Sequence, residues 1–272
     1  MEVLKFFESI RNPALTMFFR FWTLFGEETV CIVIICVFYW CINKKFGCKM
    51  IYTLLFSGIL VQTLKITFRV ERPWVRDADF QAVEAVLPKA TGYSFPSGHT
   101  QTATAVFMPL AMYFKKYWLK ILCVFTFLMV ALSRLYLGVH TPVDVIVSIV
   151  LTVAISFVVD YIQKFDWIIV IIAFIAACFL REPDLIKIAA LGLGAVIGLY
   201  TEKKWINFEA KFNPLIIIIG LGILYLIKSF IHSDNLLVIT VQYLLISLWI
   251  TAIYPFLFKT LRQRYFSRKQ YK

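Results

Sequence analysis

Charged residues are scarce in this sequence, at 16% of its 272 positions, whereas hydrophobic residues make up 61%. A typical soluble domain is about 25% charged and about 45–50% apolar, so the composition argues against a soluble globular protein. Intrinsic disorder is excluded because it requires low hydrophobicity. Six cysteines are too few for a disulfide scaffold, and the lack of a C-x-x-C pair argues against a zinc or redox site. A polytopic membrane protein remains.

Other familiar signals are missing as well. The sequence has no glycine-rich phosphate loop, no internal repeat and no flexible linker. Its first residues lack the basic start and uninterrupted apolar core of a signal peptide, and apolar residues alternate there with Lys5, Glu8 and Arg11. This pattern predicts an N-terminal amphipathic helix that lies at the membrane interface, and the alternative is a short, imperfect span. The net charge of +12 comes from short basic clusters between apolar runs, so no nucleic-acid partner is expected.

Apolar runs follow along the rest of the chain, at about residues 29–43, 49–68, 99–115, 118–136, 142–163, 167–181, 185–200, 213–231 and 236–258. They predict an all-α fold, a polytopic integral membrane bundle of about nine transmembrane helices in addition to the interfacial helix. We expect one membrane domain, with a core at residues 1–164 and additional helices with a basic tail at residues 165–272.

The distribution of Lys and Arg predicts the orientation of the chain. With nine spans, most basic residues lie on the side of the C-terminal tail, which carries Arg262, Arg264 and Arg268. The richer side of a membrane protein faces the cytoplasm, so we expect a multi-pass protein of the cell membrane with a cytoplasmic C-terminus. The long connection over about residues 69–98 then faces outward, and a connection of that length is usually functional.

Three polar segments fall on this outward side: Lys65 to Arg72-Pro73, Pro96-Ser97-Gly98-His99, and Ser133-Arg134 to His140-Thr-Pro-Val-Asp144. Lys65 and Arg72 are seven residues apart, which is two turns of a helix that should end near Pro73. A charge inside a span costs several kcal/mol and therefore suggests a function. The alternative is that Lys65 snorkels to the interface and Arg72 is an interfacial residue.

The other two segments have the sequence of helix starts. Ser97 is a preferred N-cap, and Gly98 lets a ligand approach the backbone at a helix N-terminus, which suits a phosphate. Thr141 and Pro142 fit the N-cap and the first helical position. Asp144, which is favourable near a helix N-terminus in any case, lies four residues after His140 and within reach of its imidazole.

Together the segments supply three cations, two histidines and one carboxylate. Cations and helix N–H groups bind a phosphoryl group, one histidine can act as a nucleophile and another can protonate the leaving oxygen. Metal-dependent hydrolysis fits poorly, because a two-metal site needs several carboxylates, so no cofactor or metal is expected. The residue types alone leave open which histidine attacks. The third histidine, His232, is interpreted as interfacial.

The pattern K-x6-R-P, P-S-G-H and S-R-x5-H-x3-D resembles the signature of the type 2 phosphatidic acid phosphatase superfamily, over residues 65–144. The resemblance implies a metal-independent phosphatase with a phospho-histidine intermediate. It assigns the nucleophile to His140, its orientation to Asp144 and the general acid to His99. It also implies that the phosphate is held by Lys65, Arg72, Ser97, Gly98 and Arg134.

The substrate implied is a lipid phosphate or diphosphate, of phosphatidate or polyprenyl type, hydrolysed at the extracytoplasmic face. Aromatic residues near the motifs, such as Phe68, Phe80 and Phe95, form either a lipid entry surface or an ordinary interfacial belt. Two spans before the first motif and nine in all are similar to glucose-6-phosphatase, so a sugar phosphate is the alternative substrate. A transporter or a non-catalytic scaffold is a third possibility. The lack of acidic residues within the later spans argues against an ion-coupled transporter, and the intact set of motif residues argues against a non-catalytic scaffold.

Overall fold

The computed structural model describes residues 1–230 and 234–261, and all regular secondary structure within them is helical. His232 and the basic residues from Arg262 onward lie outside the described residues, so their predicted placements stay predictions. The described helices are α1 (Glu2–Ser9), α2 (Pro13–Thr23), α3 (Glu28–Val37), α4 (Lys44–Phe68), α5 (Pro73–Arg76), α6 (Gly98–Tyr113), α7 (Tyr117–Tyr136), α8 (Pro142–Ile162), α9 (Asp166–Leu180), α10 (Pro183–Thr201), α11 (Pro214–Phe230) and α12 (Leu236–Leu248).

Within the described residues, five helical stretches are long and apolar enough to cross a membrane: Lys44–Arg76, Tyr117–Tyr136, Pro142–Leu180, Pro183–Ile206 and Leu236–Leu261. A sixth would be the pair Pro13–Gly26 and Glu28–Ile42, which is bent by 50°. The chain is therefore an all-α polytopic bundle with five or six candidate spans.

The structure does not show the nine spans that the sequence predicts, because two predicted spans join into one helical stretch and two other helices are short. The runs at 142–163 and 167–181 join into one stretch of 39 residues through the short 3-10 turn Gln163–Phe165. Helices α6 and α11 have 16 and 17 residues, at or below the lower end of the roughly 17–25 residues that a span needs.

The chain divides into two compact units. The first comprises Met1–Ile34 and Tyr52–Asp160, and the second comprises Ile35–Ile51 and Tyr161–Lys272. Residues 65–144, which carry the three motifs, belong to the first unit. The predicted division of function between residues 1–164 and 165–272 stays a prediction.

The first unit is organised around α7, which packs against α1, α2 and α6. The buried residues of α7 recur every three or four positions, including Cys123, Phe127, Val130 and Arg134, so one face of the helix is covered by its neighbours. At the end of α7 a cluster of buried residues, Phe19, Val86, Tyr136, Leu137 and Val139, fixes the chain immediately before His140.

The N-terminal stretch forms two helices instead of the single interfacial helix that the sequence suggested. The side chain of Asn12 accepts a hydrogen bond from the Leu15 amide (2.9 Å), and Pro13 occupies the first turn of α2. An N-cap followed by proline starts a new helix. The ring of Phe19 then stacks on Tyr136 with centroids 4.2 Å apart, which ties α2 to the end of α7.

The second unit has α10 at its centre, packed against α9 and α12. Gly194 and Gly198 lie so close to Ser247 and Thr251 of the neighbouring helical segment that a Cβ atom would overlap those hydroxyl groups. Small residues spaced by four positions let two membrane helices approach in this way.

Candidate active site

His140 lies in the short connection between α7 and α8, and is almost fully buried. The connection turns at Gly138, whose φ of +77° is one that residues with a side chain rarely adopt. As predicted, α8 begins at Pro142. The Thr141 amide donates to Oδ2 of Asp144 (2.8 Å), and the Asp144 amide donates to Oγ1 of Thr141 (3.4 Å). These reciprocal bonds cap α8 and hold the Asp144 carboxylate beside the preceding histidine.

The imidazole of His140 contacts two of the predicted site residues. Its Nδ1 lies 3.5 Å from Oδ2 of Asp144, and its Nε2 lies 3.0 Å from Nη1 of Arg72. A guanidinium can only donate hydrogen bonds, so Nε2 accepts from Arg72 and the neutral ring carries its proton on Nδ1. That tautomer directs the proton towards Asp144 and leaves the lone pair on Nε2, which is the form required of a nucleophile.

Charges around His140 favour the neutral ring. Burial lowers the pKa of His140 well below its ordinary value of 6.5, and the positive charges of Arg72, Arg134 and Lys65 act in the same direction. The Asp144 carboxylate opposes them and raises the pKa. The imidazole is therefore unprotonated at neutral pH, and Asp144 stabilises positive charge that develops on it during a reaction.

Arg72 is held by backbone carbonyls of two connecting segments. Its Nη2 donates to Thr91 O (2.6 Å), its Nε to Gly92 O (3.1 Å), and its Nη1 to Val139 O (3.0 Å). These bonds aim the guanidinium at the residue that follows Val139, which is His140. The nearby Lys65 donates from Nζ to Tyr93 O (2.5 Å).

The predicted helical spacing of Lys65 and Arg72 is wrong. Helix α4 ends at Phe68, and Arg69 adopts a left-handed φ of 49°. Arg72 is extended and forms the N-cap of α5, which agrees with the restriction that Pro73 imposes on the residue before it. The two cations reach the same loop because the chain folds back after α4, and not because they share a helix face.

The Pro-Ser-Gly-His segment starts α6 as predicted, with Ser97 as the N-cap. Its Oγ accepts from the Thr100 amide (3.4 Å), and its backbone is tied to α8 by bonds from Ser97 N to Asp144 O (3.1 Å) and from Ser148 Oγ to Ser97 O (2.5 Å). A Cβ atom placed on Gly98 would meet nothing within 4 Å. Open space therefore adjoins the N-terminal amides of α6, which are suited to an anion.

His99 and Arg134 contact the N-terminal part of the chain. Nε2 of His99 lies 3.7 Å from Oε1 of Glu27, and Nη1 of Arg134 donates to Oγ1 of Thr23 (2.8 Å). Nε of Arg134 is buried and has no hydrogen-bond partner among the described residues. An unsatisfied buried donor is costly, and a phosphate oxygen is the kind of acceptor that would satisfy it.

Sequence reasoning missed three side chains at this site. Ser94 donates from Oγ to Oδ2 of Asp144 (2.6 Å), and Thr23 and Glu27 contact the site as described above. Ser94 lies just before the Pro-Ser-Gly-His segment, which is a local hint. Thr23 and Glu27 are distant in sequence, although the acidic pair Glu27-Glu28 before an apolar run is an unusual feature.

A cavity of about 720 Å³ opens beside Asp144. Its apolar lining includes Phe68, Val70, Phe95 and Val143. The rings of Phe68 and Phe95 meet edge to face at 5.4 Å. Of the aromatic residues near the motifs, these two border the cavity, whereas Phe80 is buried.

The arrangement of motifs corresponds to a known family. The profile described as "PAP2 superfamily" matches residues 46–168, which contain all three motifs. The chain belongs to the PAP2 superfamily. A second profile, "PAP2 superfamily phosphatase, transmembrane extension", matches residues 186–266. The resemblance drawn from the motifs is confirmed, and the helices beyond them have a counterpart in other PAP2 proteins.

Individual PAP2 relatives cover parts of the chain. An undecaprenyl-diphosphatase of Sulfolobus acidocaldarius is 32% identical over 42% of this chain and 54% of its own length. Sphingosine-1-phosphate phosphatase 1 of Rattus norvegicus is 28% identical over 58% of this chain and 38% of its own length. The chain thus spans about half or less of these relatives.

A solved structure shares the fold over more than half of the chain. The crystal structure of Aquifex aeolicus LpxE superposes with a TM-score of 0.51 and 25% identity, over 58% of this chain and 92% of that one. The chain is therefore a multi-pass membrane protein of the PAP2 superfamily.

Proposed function

We propose that this chain is a metal-independent membrane phosphatase that hydrolyses a lipid phosphate or diphosphate through a phospho-histidine intermediate. The observation that carries the proposal is the His140 imidazole, placed between the Arg72 guanidinium (3.0 Å) and the Asp144 carboxylate (3.5 Å). A buried, unprotonated histidine with a cation at its free lone pair and a carboxylate behind it is arranged to attack a phosphorus atom.

The phosphoryl group binds at the cations and the α6 N-terminus. Lys65, Arg72 and Arg134 supply positive charge, and the amides after Ser97 and Gly98 supply aligned donors. When substrate binds, the Arg72 guanidinium turns its donors from Nε2 of His140 to a phosphate oxygen. The lone pair on Nε2 is then free to attack, and the same cations stabilise the charge on the transferring group.

The reaction follows two displacements. Nε2 of His140 forms a bond to phosphorus while the bond to the leaving oxygen breaks, and His99 gives that oxygen its proton. Asp144 stabilises the positive imidazole during this step. Water then attacks the phospho-histidine, a proton passes from the water to His99, and inorganic phosphate leaves with His140 restored.

The side chains at the site fit this chemistry without a metal ion. Within residues 1–230 and 234–261, no three His, Cys, Asp or Glu side chains converge as metal ligands do. A two-metal phosphatase uses several carboxylates to hold its ions, whereas positive charge is supplied here by three side chains.

A lipid substrate is supported by the cavity beside Asp144. Its apolar lining, which includes Phe68, Val70 and Phe95, suits a hydrocarbon chain better than a sugar. Relatives named for undecaprenyl diphosphate, sphingosine 1-phosphate and lipid A have different headgroups, but all of them act on lipids. The sugar-phosphate alternative depends on two spans before the first motif and nine spans in all, and the count of nine is not shown.

The cluster of basic residues from Arg262 onward favours a cytoplasmic C-terminus. The extracytoplasmic placement of the site follows from the predicted nine spans and is kept here as a proposal. The substrate headgroup would then meet the site at the outer interface, and membrane lipids would surround the chain.

The proposal is tested by phosphate release from the full chain, purified in detergent and assayed in EDTA. A long-chain prenyl diphosphate and glucose 6-phosphate are compared, with the His140→Ala variant as control. We expect release from the lipid alone, inhibition by vanadate, which mimics the pentacoordinate phosphoryl group, and no release by the variant. Release from the sugar alone, or activity that EDTA abolishes and Mg²⁺ restores, would contradict the proposal.

A further inference from the structure

The bend between α2 and α3 borders the site at His99. Three residues of this bend lie close to the site. Thr23 bonds to Arg134, Gly26 lies against the backbone of His99, and the Glu27 carboxylate lies beside the His99 imidazole. The sequence motifs include none of these residues, and the chemistry described so far assigns no role to Glu27.

Gly26 explains how the bend comes so close. A Cβ atom on Gly26 would lie 2.8 Å from the His99 carbonyl oxygen and 2.8 Å from Cγ1 of Val130. A backbone carbonyl cannot move aside as the end of a side chain can, so glycine is required for this approach. The backbone at Gly26 is thereby fixed against the first turn of α6, and this also fixes the position of the Glu27 backbone that follows it.

The backbone at Glu27 then directs its side chain. The 3-10 turn Leu24–Gly26 ends there, and Glu27 is extended with φ −69° and ψ 135° before α3 begins. Its carboxylate lies 3.7 Å from Nε2 of His99, and both side chains are largely shielded from solvent, with exposed fractions of 26% and 22%.

The charges that face His99 oppose one another. Burial is the main cause that lowers the pKa of His99, to about 4, and the positive charges of Arg134 and Arg72 act in the same direction, whereas the Glu27 carboxylate raises the pKa. A general acid must carry its proton when it meets the leaving oxygen. Between two guanidinium groups that hold phosphate, His99 therefore needs a compensating negative charge, and Glu27 is the carboxylate in contact with it.

We propose that Glu27 is a positioning residue that orients the His99 imidazole and favours its protonated form for transfer to the leaving oxygen. The proposal deepens the proposed function and rests on it. Glu27 acts through His99 and does not touch the substrate. Its removal should therefore matter in proportion to how much the leaving group needs a proton.

The test compares Glu27→Gln with wild type and with Glu28→Gln, which removes the same charge one residue away. The substrates are phenyl phosphate, whose leaving group phenolate is poor, and p-nitrophenyl phosphate, whose leaving group p-nitrophenolate is good. General acid catalysis contributes about 10²–10⁴-fold, so we expect kcat for phenyl phosphate to fall about tenfold or more in Glu27→Gln. For p-nitrophenyl phosphate we expect a loss of less than about threefold, because protonation then contributes little.

The pH dependence gives a second readout. Without the carboxylate, His99 should lose its proton more readily, so the alkaline limb of the rate profile for phenyl phosphate should move to lower pH in Glu27→Gln. The Glu27→Asp variant keeps the charge and should restore both the limb and part of the rate. A residue that only stabilised the fold would not shift this limb.

The outcomes separate the two proposals. If wild type releases phosphate from no substrate, the proposed function fails and this inference fails with it. If wild type is active but Glu27→Gln loses both substrates equally, or Glu28→Gln shows the same selective loss, only the role of Glu27 is overturned. Should Glu27→Gln unfold at a lower temperature than wild type, Glu27→Asp decides. If its alkaline limb stays where it lies in Glu27→Gln and it loses both substrates equally, the role of Glu27 is overturned.

Discussion

The Asp144→Asn substitution removes one charge from the site and little else. Oδ2 of Asp144 accepts hydrogen bonds from Ser94 Oγ (2.6 Å) and the Thr141 amide (2.8 Å). The amide oxygen of asparagine can occupy the same place and accept both bonds. The cap of α8 should therefore persist, and the variant should fold.

The effect on the reaction follows from the distance between Asp144 and His140. Two unit charges at the observed 3.5 Å interact by about 1 kcal/mol at the dielectric constant of water and by about 5 kcal/mol at an effective value of about 20. About 1.4 kcal/mol corresponds to a factor of ten in rate, so the loss should lie between about tenfold and about 3,000-fold. Because both side chains are only 2% exposed, we expect the upper part of this range.

The assay is the rate of phosphorylation of the enzyme and of phosphate release, with lipid substrate in detergent. The matched control is Asp160→Asn, the same substitution at an exposed position of α8, which should leave the rate unchanged. A folded Asp144→Asn protein with activity within about twofold of wild type would refute the reasoning, since that corresponds to less than about 0.5 kcal/mol.

Two further predictions concern pH and folding. Burial lowers the pKa of His140, so the nucleophile stays unprotonated as pH falls. The acid limb of kcat/KM should therefore lie below pH 6.5, the ordinary pKa of histidine. A limb at or above pH 6.5 would contradict the assignment of His140 as the nucleophile. Gly138→Ala places a side chain at φ +77°, where its Cβ would lie 2.7 Å from Nη2 of Arg11 and 2.8 Å from Cζ of Phe80. We expect a loss of about 1–3 kcal/mol in unfolding free energy, measured by denaturation, whereas Gly222→Ala, where a Cβ meets nothing within 4 Å, should show no such loss; equal stability of the two variants would contradict the account.

Local sequence patterns predicted the parts of the site that depend on local structure. Ser97 and Thr141-Pro142 are start signals whose effect is confined to one helical turn, and both helices begin where these residues indicate. The position of Asp144 relative to His140 follows from the same turn. The apolar runs likewise predicted helices, because hydrophobicity along the chain reports burial or lipid contact directly.

Contacts between distant segments could not be read in the same way. Arg72 is held by the carbonyls of Thr91, Gly92 and Val139. Every residue has a backbone carbonyl, so the residue types do not reveal which carbonyls bind Arg72. Glu27 approaches His99 because it lies at the break between Pro13–Gly26 and Glu28–Ile42, where the chain bends by 50°. Hydropathy does not detect such a bend. A count of spans from hydropathy also treats the short helices α6 and α11 as full spans, and it treats α8 and α9, which form one stretch, as two.

The central claim is that His140 becomes phosphorylated during turnover. The direct measurement is to mix wild type, in EDTA, with a lipid substrate labelled on its phosphoryl group, to quench within one turnover, and to map the label. We predict a label on His140 that is stable to base and labile to acid, and that is missing from the His140→Ala variant. A folded wild-type protein that releases phosphate with no label on His140, or with the label on another residue, would contradict the account.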